Sequence, residues 1–185
     1  MALLADFAAL DPASPRYLER VAEQVQRHKC ETVALAAPAG HRLRVGGLDE
    51  TAYAGDEAEL EAWQAFYTPE ETRMTVLGTV DVFASLAAGL QLVVLAGADG
   101  RVYAYENEVL HEVAPSVAAA LTRGLQFPGA RRYEYGAIFA PMTEAEREEL
   151  ERDEEVMRDR RETAAFIKGN EAEFLAILAR IEAKK

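Results

Sequence analysis

The side chains best suited to chemistry are three histidines, His28, His41 and His111, and a lone cysteine, Cys30. His28-Lys29-Cys30 brings two metal-ligand types close together, but no second pair follows at a zinc-like spacing. The stretch reads as a helix end with a small buried thiol, and no metal is expected. His28 and Cys30 are two residues apart, so on a helix they do not face each other as base and nucleophile. There is no Gly-x-Ser-x-Gly elbow. Ser116 follows Pro115 at a helix start, where serine serves as a cap. Gly97-Ala98-Asp99-Gly100 reads as a hairpin turn, and Gly46-Gly47 lacks the lysine and helix of a phosphate loop. Glu106 and Glu108 flank Asn107 between two strands, where a turn explains them. No catalytic residue and no cofactor follow from these patterns.

One segment stands above this background. From Asp49 to Glu71 there are eight acids and no lysine or arginine, interleaved with Tyr53, Trp63, Phe66 and Tyr67. As a contact face for a basic partner, with aromatic anchors, it would offer Asp56, Glu57, Glu59, Glu61, Trp63, Glu70 and Glu71. As a solvated helix face it would turn its aromatics inward. The shared face of Leu60, Trp63 and Tyr67 favours that plainer alternative.

The elements that must position these residues can be read in order. Ser14-Pro15 predicts a helix start, with Leu18, Val21, Ala22 and Val25 on one face and an end near Lys29. Thr32 to Ala37 and His41 to Val45 predict a hairpin around Pro38-Ala39-Gly40. Asp56 caps an acidic helix, with Glu59 completing a capping box. Thr68-Pro69-Glu70-Glu71 is a second start signal, for a short helix or turn. Met74 to Phe83, Leu90 to Ala96, Arg101 to Tyr105 and Val109 to Val113 predict strands, with a tight turn at Asp99-Gly100. Pro115-Ser116 opens a helix that Gly124 stops, and Arg131 to Phe139 predicts one more strand.

The tail differs in composition. Thr143 and Glu146 form a capping box, and a thin stripe of Leu150, Met157 and Ala164 follows. Asn170 is then expected to cap a last helix whose Phe174, Leu178 and Ile181 line a dimerisation face. The fold expected is α+β: an antiparallel sheet with helices packed on one face over residues 1–140, and a C-terminal helical hairpin over 143–185.

Composition limits the function. The 185 residues carry a net charge of −12 and a pI near 4.8. That argues against nucleic-acid binding, which needs a basic surface, and against anionic membranes. The apolar run from Leu86 to Ala98 is too short to span a bilayer, and Met1 to Asp6 shows no signal-peptide pattern. A single cysteine suits a reducing cytoplasmic setting. The arginine and alanine bias points to a bacterial source.

Residues 74–124 resemble the C-terminal half of the SUKH superfamily. The matching features are Leu77-Gly78, Leu90 to Ala96, Asp99-Gly100, Val102-Tyr103, Glu106-Asn107-Glu108 and Val113-Ala114-Pro115-Ser116. The resemblance implies an α+β binding domain without catalytic residues, of a kind often found in bacterial immunity proteins that neutralise toxins. The resulting expectation is a non-enzymatic, protein-binding domain, an immunity-type inhibitor of a basic toxin or nuclease. The alternative is a small acidic dimeric chaperone or adaptor, resembling secretion chaperones, with itself as partner.

Overall fold

A computed structural model of the chain describes residues 2–84 and 88–139, and beyond them Arg158, Phe166, Lys168 and Asn170. The chain divides into two units, Met1–Phe139 and Ala140–Lys185.

The first unit is α+β. Its strands are β1 (Thr32–Ala34), β2 (Arg42–Val45), β3 (Met74–Val80), β4 (Leu92–Gly97), β5 (Val102–Glu106), β6 (Val109–Ala114) and β7 (Arg131–Glu134). They form one antiparallel sheet in chain order, so every strand lies beside its neighbour in sequence. The helices are α1 (Ala2–Ala8), α2 (Tyr17–Arg27), α3 (Glu57–Phe66) and α4 (Val117–Arg123).

Alternation along the strands divides the core in two. One face is mostly aliphatic: Leu43, Val45, Leu92, Val94, Ala96, Val102 and Ala104 pack under α1, α2 and α4. The other is mostly aromatic: Tyr103 and Tyr105, with Val93, Leu95 and Leu110, pack under Trp63 and Tyr67. The expected gathering of helices on one face holds for three of them; α3 covers the opposite face. A bulge in β3 reconciles the two cores. The register shifts between Val76 and Gly78, so Met74 and Val76 face the aromatic side while Leu77 and Val80 face the aliphatic side.

Local signals explain most element ends. Ser116 caps α4 by accepting from the Ala119 N–H at 3.1 Å. Gly124 ends α4 at φ 87°, and a side chain there would collide with the Ala37 backbone. Asp56 caps α3 through the Glu59 N–H at 3.1 Å, but the Glu59 carboxylate turns to Trp63 instead of closing the box.

Three expectations need correction and a fourth is narrowed. Ser14 does not cap α2. An Asx turn at Asp11, whose Oδ1 accepts from the Ala13 N–H, bends the chain first, and α2 starts at Tyr17. Of the short helix or turn expected at Thr68-Pro69, the chain takes a bend, in which the Thr68 hydroxyl donates to the Glu70 carbonyl at 2.7 Å before β3 begins. Cys30 is exposed, at φ 67°, while its neighbour His28 is the buried one. Phe166, Lys168 and Asn170 are helical, and the Asn170 amide donates back to the Phe166 carbonyl at 2.7 Å, so Asn170 does not open a helix. The Thr143–Glu146 box, the Leu150, Met157 and Ala164 stripe, and the Phe174, Leu178 and Ile181 face lie outside the described residues.

Candidate functional site

α3 lies on the aromatic face because its apolar side is aromatic. Leu60, Trp63 and Tyr67 fall within one arc of the helix, and Trp63 is 0 % exposed. Trp63 packs at a tilt against Tyr105 with ring centroids 4.8 Å apart and meets Tyr53 edge-on at 5.3 Å. Its indole N–H donates to Glu59 Oε1 at 3.0 Å. The Tyr67 and Tyr105 hydroxyls lie 3.5 Å apart, and the Glu108 N–H donates to the Tyr105 oxygen at 3.2 Å. Buried rings with polar tips are thus matched to partners, as such rings require. Burial raises the pKa of both phenols above the ordinary tyrosine range, so both stay protonated at neutral pH.

At the C-terminal end of α3 the aromatic cluster reaches the surface. The Gly136 N–H donates to the Phe66 carbonyl at 2.9 Å, which ties the turn after β7 to the last turn of α3. Phe66 then packs against Tyr135 at 5.4 Å and stacks with Phe139 at 6.0 Å. Tyr135 is 58 % exposed and Phe139 64 % exposed. These rings continue the buried cluster, since Tyr135 also meets Tyr67 edge-on at 5.6 Å.

The acidic residues expected to contact a partner separate into groups. Asp56, Glu57, Glu61, Glu70 and Glu71 are exposed. Glu59 is half-buried and engaged with Trp63, and Glu50 is half-buried and paired with Lys29 at 2.6 Å. The Lys29 ammonium holds the Glu50 carboxyl below the usual carboxylate range. Trp63 offers no exposed surface, so it cannot serve as a surface anchor. The exposed rings of the same cluster are Tyr135 and Phe139. Sequence reading missed them because strand alternation over Arg131 to Phe139 assigned them to a strand that ends at Glu134.

Among the described residues no helix is long and apolar enough to cross a membrane, and no group of three acids, histidines or cysteines is placed to hold a metal ion.

A family described as US22 like matches residues 14–132, from the turn before α2 into β7. The chain belongs to this family. An uncharacterized gene 87 protein of Gallid herpesvirus 2 is 34% identical over 127 residues, covering 69% of this chain and 71% of its own. Uncharacterized protein 005R of Frog virus 3 is 30% identical over 169 residues, covering 91% and 81%. Uncharacterized protein FPV250 of Fowlpox virus is 28% identical over 124 residues, covering 67% and 86%. No solved structure matches the chain.

These matches correct the SUKH resemblance and the bacterial immunity role that came with it. The US22-like match spans α2 to β7, whereas the SUKH features are short steps that antiparallel hairpins use generally: Asp-Gly at one turn, Asn107 at the next, and a Pro-Ser helix start. The relatives are viral proteins, so the arginine and alanine bias reports coding composition and not a bacterial source.

Proposed function

We propose that this US22-like chain is a non-enzymatic protein-binding domain whose contact surface is the Phe66, Tyr135 and Phe139 ring cluster with the acidic residues of the α3 segment. The observation that carries the reading is the exposure of Tyr135 and Phe139 on a turn pinned to an acid-only segment. Ordered rings lose little conformational entropy on binding, and exposed rings beside carboxylates suit arginine and lysine side chains through cation–π and ionic contacts. The partner that fits is a basic protein segment carrying an apolar anchor.

The test uses a labelled synthetic peptide of alternating arginine and leucine, titrated with the full chain and followed by fluorescence anisotropy. Binding should weaken with salt. It should fall about tenfold or more when Tyr135 and Phe139 are both changed to alanine, in line with the loss of anchor residues. Glu61→Lys with Glu70→Lys should weaken it as well. Equal binding by the ring and charge variants would overturn the reading, and so would equal loss from Glu19→Lys with Glu23→Lys on α2.

A further inference from the structure

The seam between α1 and α2 opens into a cleft of about 400 Å³, with Asp6 and Leu10 on one wall and Arg16, Arg20, Glu23 and Gln24 on the other. Helical spacing explains the convergence. Tyr17, Val21 and Val25 are the buried face of α2. Arg16, Arg20, Gln24 and His28 follow one another at intervals of four, so they run along the helix in a single row beside that face. His28 Nε2 lies 2.9 Å from Asp6 Oδ2, which holds α1 against the end of this row.

Most of the charges in the cleft are engaged with one another. Arg16 Nε donates to Glu19 Oε2 at 2.7 Å, and its Nη2 lies 3.9 Å from Glu23. Asp6 is held by His28 and, at 3.6 Å, by Arg27. Two groups are left over. The Arg20 guanidinium makes no hydrogen bond or ion pair with another described residue. Gln24 Oε1 is buried without a hydrogen-bond partner, and no other buried side-chain nitrogen or oxygen among the described residues is left so. A buried acceptor without a donor is costly, which calls for a reason to keep it. The lining acids, Asp6 and Glu23, offset Arg16 and Arg20, so the cleft has no net charge of its own.

We infer that this cleft binds a neutral polyol, a free monosaccharide. One sugar hydroxyl donates to Gln24 Oε1, and a neighbouring hydroxyl accepts from the Arg20 guanidinium. Each hydroxyl both donates and accepts, so a row of them matches an unpaired acceptor beside an unpaired donor. Asp6 Oδ1, which neither His28 nor Arg27 uses, is a second acceptor on the facing wall. Leu10 gives the C–H face of the ring an apolar surface. A cationic ligand would meet the two arginines, and an anionic one would meet the acids and a chain of net charge −12. The volume lies within the roughly 300–1,000 Å³ of small-molecule pockets.

The experiment is saturation-transfer NMR titration of the full chain with D-glucose, D-galactose, D-mannose and D-ribose, and with the amino and phosphate derivatives of each. A neutral sugar should bind saturably, and its charged derivatives should bind no more tightly. Gln24→Leu and Arg20→Met should each weaken binding about tenfold or more, the scale of a lost hydrogen bond to a buried or charged group. Gln24→Leu also removes the unmatched acceptor, so the melting temperature of the sugar-free chain should stay the same or rise. A lower melting temperature would show Gln24 to be matched within the fold and would overturn the assignment. Saturable binding of none of the four sugars would overturn it too, as would tighter binding of a charged derivative or unchanged binding by both variants. The helices of the cleft pack on the aliphatic face and the ring cluster lies on the other, so either proposal can fail without the other.

Discussion

The two faces of the sheet are made of different materials, one mostly aliphatic and the other mostly aromatic. The aliphatic face buries mainly leucine, valine and alanine under three helices. Each such leucine or valine, fully buried, contributes about 1.5–3 kcal/mol. The aromatic face is covered by α3, so its tyrosines and tryptophan keep polar tips that must be matched, and its last rings emerge at Tyr135 and Phe139. An aromatic core can run from the interior to the surface without a break, because each ring has an apolar body and a polar edge.

The largest expected effect lies on the aliphatic face. Leu43→Ala removes a side chain that is 0 % exposed, and should cost about 2–5 kcal/mol in urea unfolding. The Tyr135 and Phe139 alanine variants should stay within about 0.5 kcal/mol, the usual range for surface changes. A comparable loss from the exposed rings would break the division between faces.

A smaller effect belongs to the buried aromatic cluster. Trp63→Phe keeps a ring but removes the indole donor that Glu59 accepts, leaving that half-buried carboxylate with the Tyr105 hydroxyl as its neighbour. The expected cost is about 1–3 kcal/mol, mostly from the lost hydrogen bond. A second change, Glu59→Leu in the Trp63→Phe background, should recover part of it. No recovery would mean that packing, and not the hydrogen bond, carries the effect.

The smallest effect is the pH dependence of the intact chain, because two histidines oppose each other. His28 is clipped between Glu31 on Nδ1 and Asp6 on Nε2, both at 2.9 Å, and these carboxylates, Glu31 first, raise its pKa. Its contribution is complete below the unfolded value of about 6.5 and is lost as pH rises through the folded value. His111 is the reverse. Burial lowers its pKa, so its contribution is present above about 6.5 and is lost as pH falls toward the folded value. Urea midpoints between about pH 5 and 8 should change little for the intact chain. His28→Gln should make the chain less stable on acidification, and His111→Gln should make it more stable. The same slope in both variants would contradict this assignment.

Much of the sheet was legible because local chemistry and tertiary need agree there. Leu43 and Val45 alternate with Arg42 and Arg44, Asp99-Gly100 turns one hairpin, and Ser116 with Gly124 bounds α4. Thr68-Pro69 left a helix and a turn open because a hydroxyl can bond backbone ahead of it in a bend as well as cap a helix, and propensity does not choose between them. Among the proposed partner contacts, the acids Asp56, Glu57, Glu61, Glu70 and Glu71 are exposed, Glu59 is half-buried, and Trp63 turns inward, while Tyr135 and Phe139 turn out.

The sequence by itself determined the α+β class, the strand order of neighbouring hairpins and the acidity of the α3 segment. Periodicity, turn residues and charge are properties of adjacent residues, so each is visible without a fold. Only the tertiary structure decided that α3 takes the opposite face from the other helices and that His28 and His111 meet opposite environments. Those outcomes depend on strand register and on a bulge at Leu77, where a shift of one residue sends every later side chain to the other face.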